Sequence, residues 1–375
     1  KVRGSFSSVG MPYPRNLTSP TYEYNEATQS WKPKTHYPIG DLKPERTDSW
    51  EVGLDMKLFK DFNLGLSWYL ANTFNQTFDP QISVSSGYTT IYLQTGYVRN
   101  TGLELSLGYG HTWNNNFRWD SNFTLSHNKN KIKELVRDYV HPETGELINK
   151  DRLDVGGLGK ARFILKEGGT LGDLYTQSDL KRDDNGMVDI DPTGIVAIEN
   201  NLPDIKLGSV FPKANLAWSN HFSWKGISLS ALFTARIGGI VYSATEAAMD
   251  QYGVSERSAL ARDNGGVLVN NRTLVDAQNY YTTIGSESGL PQYYTYNATN
   301  VRLQEASIGY LIPRKWLGNV CDIQVSVIGR NLWMIYNKAP FDPESVATTD
   351  NYYQGIDYFM LPSTRNIGFN VKINF

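Results

Sequence analysis

Asp189, Asp191, Thr193 and Gly194 fall close to the spacing of a calcium-binding loop, and Glu199 comes one residue early for the closing bidentate carboxylate. The surrounding stretch Asp183–Gly194 (DDNGMVDIDPTG) also reads as two successive turns, because Asp, Asn and Pro supply the backbone angles that turns require. Both readings stand at this stage, and calcium is the only cofactor with a candidate site. Other chemistry-bearing residues form no constellation. In Gly285–Gly289 (GSESG), Glu287 stands where a nucleophile elbow needs Ser. A phosphate-binding loop around Lys160 fails, since Asp154 replaces its first Gly and Ala161 follows the lysine. The five histidines are scattered, and the single Cys321 excludes an internal disulfide or a cysteine-based zinc site. No acid/base pair can be identified, and the reading is that the chain is not an enzyme.

Aromatic residues are the more informative group. The chain of 375 residues holds 23 Tyr and 9 Trp, and many lie in the stretches between periodic segments. Trp31, Tyr37, Tyr252, Tyr293, Tyr294, Tyr296, Tyr352, Tyr353 and Tyr358 are the candidates for contact with a ligand or a covering partner. Aromatic faces stack on sugar rings and offer hydroxyls at low entropic cost. The competing reading is that these rings pack the connections against one another.

The elements that would position them are strands. Trp50, Val52, Leu54, Met56 and Leu58 alternate with Glu51, Gly53, Asp55 and Lys57, and after a short turn Phe62, Leu64, Leu66, Trp68 and Leu70 repeat the pattern. Period-two alternation makes strands with one apolar and one polar face. The same signature recurs over Thr101–Gly110, Phe117–Ser126, Lys213–Arg236, Asn300–Pro313 and Asp322–Tyr336. It closes the chain as RNIGFNVKINF, where Ile367, Phe369, Val371, Ile373 and Phe375 share a face. The count is roughly ten strands of about 9–15 residues, with a parity slip around Glu305 and Ala306 that predicts a bulge. Short turns follow Lys60, Tyr109 and Trp224, whereas long connections run over 1–45, 76–97, 130–160, 177–205, 240–298 and 338–362. Within them, Ser243–Asp250 and Glu256–Asp263 read as short helices, and Thr282–Thr299 as an ordered loop.

Composition narrows the class. A formal net charge of −2 gives no electrostatic case for nucleic acid. Mean hydropathy is −0.42, and no run of about 18 apolar residues makes a membrane helix. The opening KVRGSFSSVG has no apolar core of a signal peptide. A soluble β-sandwich or solenoid would bury the apolar faces on one another. Against it, the polar faces carry Glu104, Arg118, Asp120, Arg236, Arg302, Glu305, Arg330 and Arg365, and aromatics gather near strand ends. A water-filled lumen and the aromatic girdles of a membrane barrel account for both, and the alternation of short and long connections fits that layout.

Several segments then resemble a known family. Leu42–Phe59 (LKPERTDSWEVGLDMKLF) resembles the strand-initiating motif of TonB-dependent outer-membrane receptors. GGTLGDLYTQSDLKRDDNGMVDIDPTG, ARIGGIVYSAT, NATNVRLQEASIGYLIP, GRNLWMIYNKAPFDPE and PSTRNIGFNVKINF are similar to the SusC/RagA branch, in order along nearly the whole chain. The resemblance implies an all-β transmembrane barrel of 22 strands, of which residues 1–375 are the C-terminal part. Plug domain, TonB box and signal peptide are expected outside this chain. It further implies a multi-pass protein of a Gram-negative outer membrane that imports oligosaccharides or peptides. The implied partners are a SusD-like surface lipoprotein as lid, TonB through the N-terminal part, the rest of the same barrel, and membrane lipid. Phe375 would be an aromatic signal to the barrel-assembly machinery. A passive porin and a secreted glycan-binding β-protein are the rival readings.

Overall fold

The computed structural model describes residues 1–12, 22–33, 36–37, 43–78, 88, 90–113, 116–140, 145, 147–349 and 353–374. Ten strands form one antiparallel sheet in chain order: β1 (Val2–Met11), β2 (Glu45–Leu58), β3 (Phe62–Phe78), β4 (Leu93–Thr112), β5 (Arg118–Glu134), β6 (Ala214–Trp224), β7 (Ile227–Ile237), β8 (Asn300–Ile312), β9 (Asp322–Asn337) and β10 (Asn366–Asn374). Among the described residues β1 and β10 are its two edges, so the sheet is an open wall. The expected strand number holds, but several strands are longer than expected, with β4 reaching 20 residues.

Register explains the two faces. Leu54, Leu66, Leu105, Leu125 and Leu216 stand opposite one another across β2 to β6 as one rung. One residue along, Asp55, Gly65, Ser106, Thr124 and Ala217 form the next rung on the other face. Because side-chain direction has period two, every leucine of the first rung points one way and every polar group of the second points the other. The apolar face continues through Trp218, Leu229, Ile308, Val327 and Phe369, all exposed. In water such a face would drive aggregation, whereas against hydrocarbon it costs nothing.

The turns at one end are tight. Lys225 and Gly226 both have positive φ, 47° and 88°, which is the type I′ geometry that matches the twist of paired strands. Near this end the outward rings form a belt: Phe62–Tyr109 at 4.7 Å, Tyr109–Trp119 at 5.1 Å and Trp119–Phe222 at 5.8 Å between centroids. The expected bulge is present at Gln304, which is skipped when Leu232 pairs with Glu305 and Phe233 with Leu303.

At the opposite end the connections fold into a cap with a hydrophobic core of its own. A four-stranded sheet (Arg152–Leu158, Ala161–Lys166, Asp173–Thr176, Ile205–Ser209) packs with α1 (Ala244–Gln251), α2 (Glu256–Asp263) and α3 (Ala277–Gly285). The first two helices match expectation, and each begins on a serine whose hydroxyl accepts a backbone N–H, Ser243 from Glu246 and Ser255 from Ser258. The third was not expected. Its β-branched Thr282 and Thr283 disfavour helix, but Asp276 caps it and Ala277, Tyr281 and Ile284 are buried. Thus the stretch read as an ordered loop from Thr282 begins as the last turn of α3 and continues through the 3-10 turns Ser286–Ser288 and Pro291–Tyr293.

Candidate functional site: the polar wall and its cap

The inner face of the wall is concave and charged. Two hollows of about 600 and 820 Å³ lie along it, the first flanked by Lys57, Arg118, Asp120 and Glu305, the second by Arg3, Glu104, Ser126 and Asn215. Arg118 holds Asp120 through two bonds of 2.6 Å, and Glu305 accepts from Arg330 at 2.8 Å. Arg3 reaches Ser67 at 2.5 Å and lies 3.6 Å from Asp55. A row of such groups is stable only where water or polar protein fills the space beside it.

The cap is joined to the wall by backbone as well as by packing. Ile132 near the end of β5 donates to Gly169 and accepts from Gly168, both at 2.9 Å. Phe78, Val98 and Ile132 belong to the same buried cluster as Phe163, Leu174, Tyr242, Leu290 and Tyr294. At the centre sits the buried carboxylate of Asp250, which accepts from Ser255 Oγ at 2.5 Å, Arg257 Nε at 2.9 Å and Tyr294 OH at 2.9 Å. Burial first, and then the Asp250 charge, pushes the Tyr294 hydroxyl far above its ordinary range, so it stays a proton donor.

The candidate aromatics fall into two groups. Tyr252 at the end of α1 is 77% exposed, and Trp31, Tyr353 and Tyr358 are also exposed, Trp31 with its ring 5.1 Å from Tyr24. Tyr293 and Tyr296 are half-buried, the latter edge-on to Phe341 at 5.8 Å. Tyr294 is 0% exposed and Tyr37 is 7% exposed, so their rings lie in the cap core and offer no outward face. Tyr352 and Phe375 lie outside the described residues.

The acidic stretch folds as two turns. Asp183 Oδ1 accepts from the amides of Asn185 and Met187, and Asp191 Oδ1 accepts from the Thr193 amide, the Thr193 hydroxyl and the Ile195 amide. The bond from Ile195, followed by those from Thr193, holds the Asp191 carboxyl below its ordinary range. Asp189 is paired with Lys181 at 2.7 Å, and Glu199 lies in a short strand opposite Asp179. Sequence reasoning missed the tie between wall and inward connection, in which Arg302 meets Asp342 at 2.8 Å and Glu344 at 3.3 Å. Its signal was present as an arginine inside an otherwise apolar-alternating strand.

A wall of antiparallel strands with an apolar outer face, a charged inner face, tight turns at one end and a folded cap at the other is part of a transmembrane β-barrel. Residues 1–152 match the family described as "TonB dependent receptor-like, beta-barrel". The chain is 25% identical to TonB-dependent receptor P3 of Formosa agariphila over 90% of its own length and 35% of that receptor. With TonB-dependent receptor P26 of the same organism it shares 24% identity over 89% of its length, again 35% of the relative. Among solved structures, the RagAB peptide importer in its "closed-closed" state superposes over the whole chain and 40% of the solved chain, with TM-score 0.70 at 18% identity, which speaks to the fold. Together these findings make residues 1–152 similar to the barrel of the TonB-dependent receptor family, and they give the whole chain the fold of the matching part of the RagAB chain. Members of that family are transporters and receptors, and the family implies a Gram-negative outer membrane. The chain spans about a third of the length of the receptors it matches.

Proposed function

We propose that this chain is the C-terminal part of the barrel of an energised nutrient importer that takes up oligosaccharides or peptides. The observation that carries the reading is the two-faced wall: five leucines on one rung and a polar rung one residue away, with the cap closing one end. The remaining strands of the same barrel would close it between β1 and β10, and a plug would fill the charged hollow. TonB would act through the part that carries the plug. The exposed rings Trp31, Tyr252, Tyr353 and Tyr358, with the half-buried Tyr293 and Tyr296, are the proposed contacts for cargo or for a SusD-like lipoprotein lid. Tyr352 belongs to the same proposal by position, as does Phe375 as an assembly signal. The chain itself would do no bond-making chemistry, and it needs no cofactor for this role.

The test is uptake by cells expressing the full-length transporter, with labelled oligosaccharides and labelled peptides offered separately. Uptake of one class that stops when TonB is deleted supports the proposal. Uptake that continues without TonB would show a passive pore instead, and a full-length protein soluble without detergent would remove the membrane reading altogether.

A further inference from the structure

The tight-turn end of the wall is not uniform. Two neighbouring turns, Lys225–Gly226 between β6 and β7 and Pro313–Cys321 between β8 and β9, are bonded together where Leu311 N donates to Gly226 O at 2.8 Å. Both present the same pair of residue types, an exposed tryptophan beside an exposed lysine: Trp224 with Lys225, and Trp316 with Lys315. The Lys225 ammonium lies 4.9 Å from the Trp224 ring centre, and Trp316, 67% exposed, stands 6.4 Å from the Tyr310 ring. Arg314 adds a third cation, with Asp322 as the single carboxylate beside it at 3.7 Å. Among the described residues neither Lys225 nor Lys315 forms an ion pair.

Register says what this patch borders. Trp224, Ile227 and Tyr310 share one rung, two residues from the rung of Phe222, Leu229 and Ile308, so the tryptophan continues the outward apolar face. A group that follows that face to its rim leaves hydrocarbon and enters the headgroup layer, where indole rings settle and lysine stems extend toward phosphates. The other turns differ. Asp61 accompanies Lys60 and pairs with His111, Lys60 lies beside the inner hollow, and Arg118 at the start of β5 is held by Asp120. Among the described tight turns, these two are the ones that carry unpaired cations away from the hollow.

We propose that the β6–β7 and β8–β9 turns form a binding patch for anionic phospholipid headgroups in the leaflet that the tight turns face. Trp224, Trp316 and Val320 enter the acyl boundary, and Lys225, Arg314 and Lys315 meet the phosphates. The inference rests on the barrel reading and adds a lipid preference localised to one flank of the wall, independent of cargo.

The experiment places the full-length transporter in phosphatidylcholine nanodiscs doped with phosphatidylglycerol and compares the association of spin-labelled phosphatidylglycerol with that of spin-labelled phosphatidylcholine. The wild type should prefer phosphatidylglycerol. K225Q/K315Q should lose that preference by roughly fivefold per lysine, the factor expected for one cation at a charged membrane surface. K225R/K315R should retain it, and K60Q, on a turn that faces the hollow, should leave it unchanged. Equal association of both lipids with the wild type, or an undiminished preference in K225Q/K315Q, would overturn the proposal while leaving the barrel intact. A full-length protein that fails to enter the bilayer overturns the barrel reading and this proposal together.

Discussion

Arg302 extends from the inner face of β8 to Asp342 at 2.8 Å, with both side chains less than one-tenth exposed. This pair ties the connection after β9 to the inside of the wall, and Asn300 strengthens it by donating to Glu344 at 3.3 Å and accepting from Arg302 at 3.2 Å. Burial alone would raise the Asp342 carboxyl, but the bond from Arg302, with help from Ser363 and the Glu344 amide, holds it below its ordinary range.

Removing one partner of such a pair strands a buried charge. Asp342→Ala should destabilise the protein by about 3 kcal/mol, at the low end for a broken buried pair because Glu344 remains near Arg302. Replacing both, as R302M/D342L, should cost less than either single change. Thermal unfolding of the full-length transporter, with protease sensitivity of residues 338–349 as a local readout, decides between these orders.

The leucine rung gives a sided prediction. Leu105→Arg should cost roughly 2–4 kcal/mol of barrel stability at mid-membrane, and Ser106→Arg, one residue along on the hollow side, should be mild. Refolding into lipid vesicles under denaturant titration measures both. Equal costs would refute the face assignment.

Acid sensitivity should be local to the cap. Asp204 accepts from Arg152 at 2.7 Å and 3.0 Å, and Lys166 lies 2.9 Å away. The Arg152 bonds first, against the opposing effect of burial and then with Lys166, hold its carboxyl far below the ordinary range. A depressed folded-state value means that the stabilisation is complete above the unfolded value of about 4 and is lost as pH falls toward the lower folded value. Amide exchange in Arg152–Leu158 should therefore accelerate on acidification in the wild type. In Asp204→Asn it should be faster already at neutral pH and change less with acid.

The cap tyrosines should separate by role. Tyr252→Ala should leave the melting temperature within a degree or so of wild type, because an exposed ring contributes little packing. If it touches cargo or lid, uptake falls. Tyr294→Phe should instead destabilise the cap by about 1–3 kcal/mol, since it takes a donor from the buried Asp250 carboxylate. Paired melting and uptake measurements distinguish the two.

Calcium would have to displace the Lys181 ammonium from Asp189 and the Thr193 and Ile195 donors from Asp191. Chelation should therefore leave the melting temperature of the transporter unchanged. A fall on chelation, restored by calcium and abolished in Asp191→Asn, would assign the site to the ion.

Alternation alone determined the wall. From residues such as Leu64, Leu66 and Trp68, which recur with period two, the strands, their faces, the tight turns after Lys60 and Trp224 and even the bulge near Glu305 could be read, because side-chain direction in a strand is a local property. Ser243–Asp250 and Glu256–Asp263 likewise read as short helices. What sequence could not decide was which aromatics of the connections face outward. Tyr293 and Tyr294 are neighbours with like surroundings in the chain, yet one is half-buried and the other wholly enclosed beside Asp250 and Arg257. Nor did it reveal that Arg302 finds Asp342 forty residues on, or that Lys225 and Lys315 come to adjoining turns. Each of these depends on where separate segments meet once the cap and wall have packed, and no local pattern records that meeting.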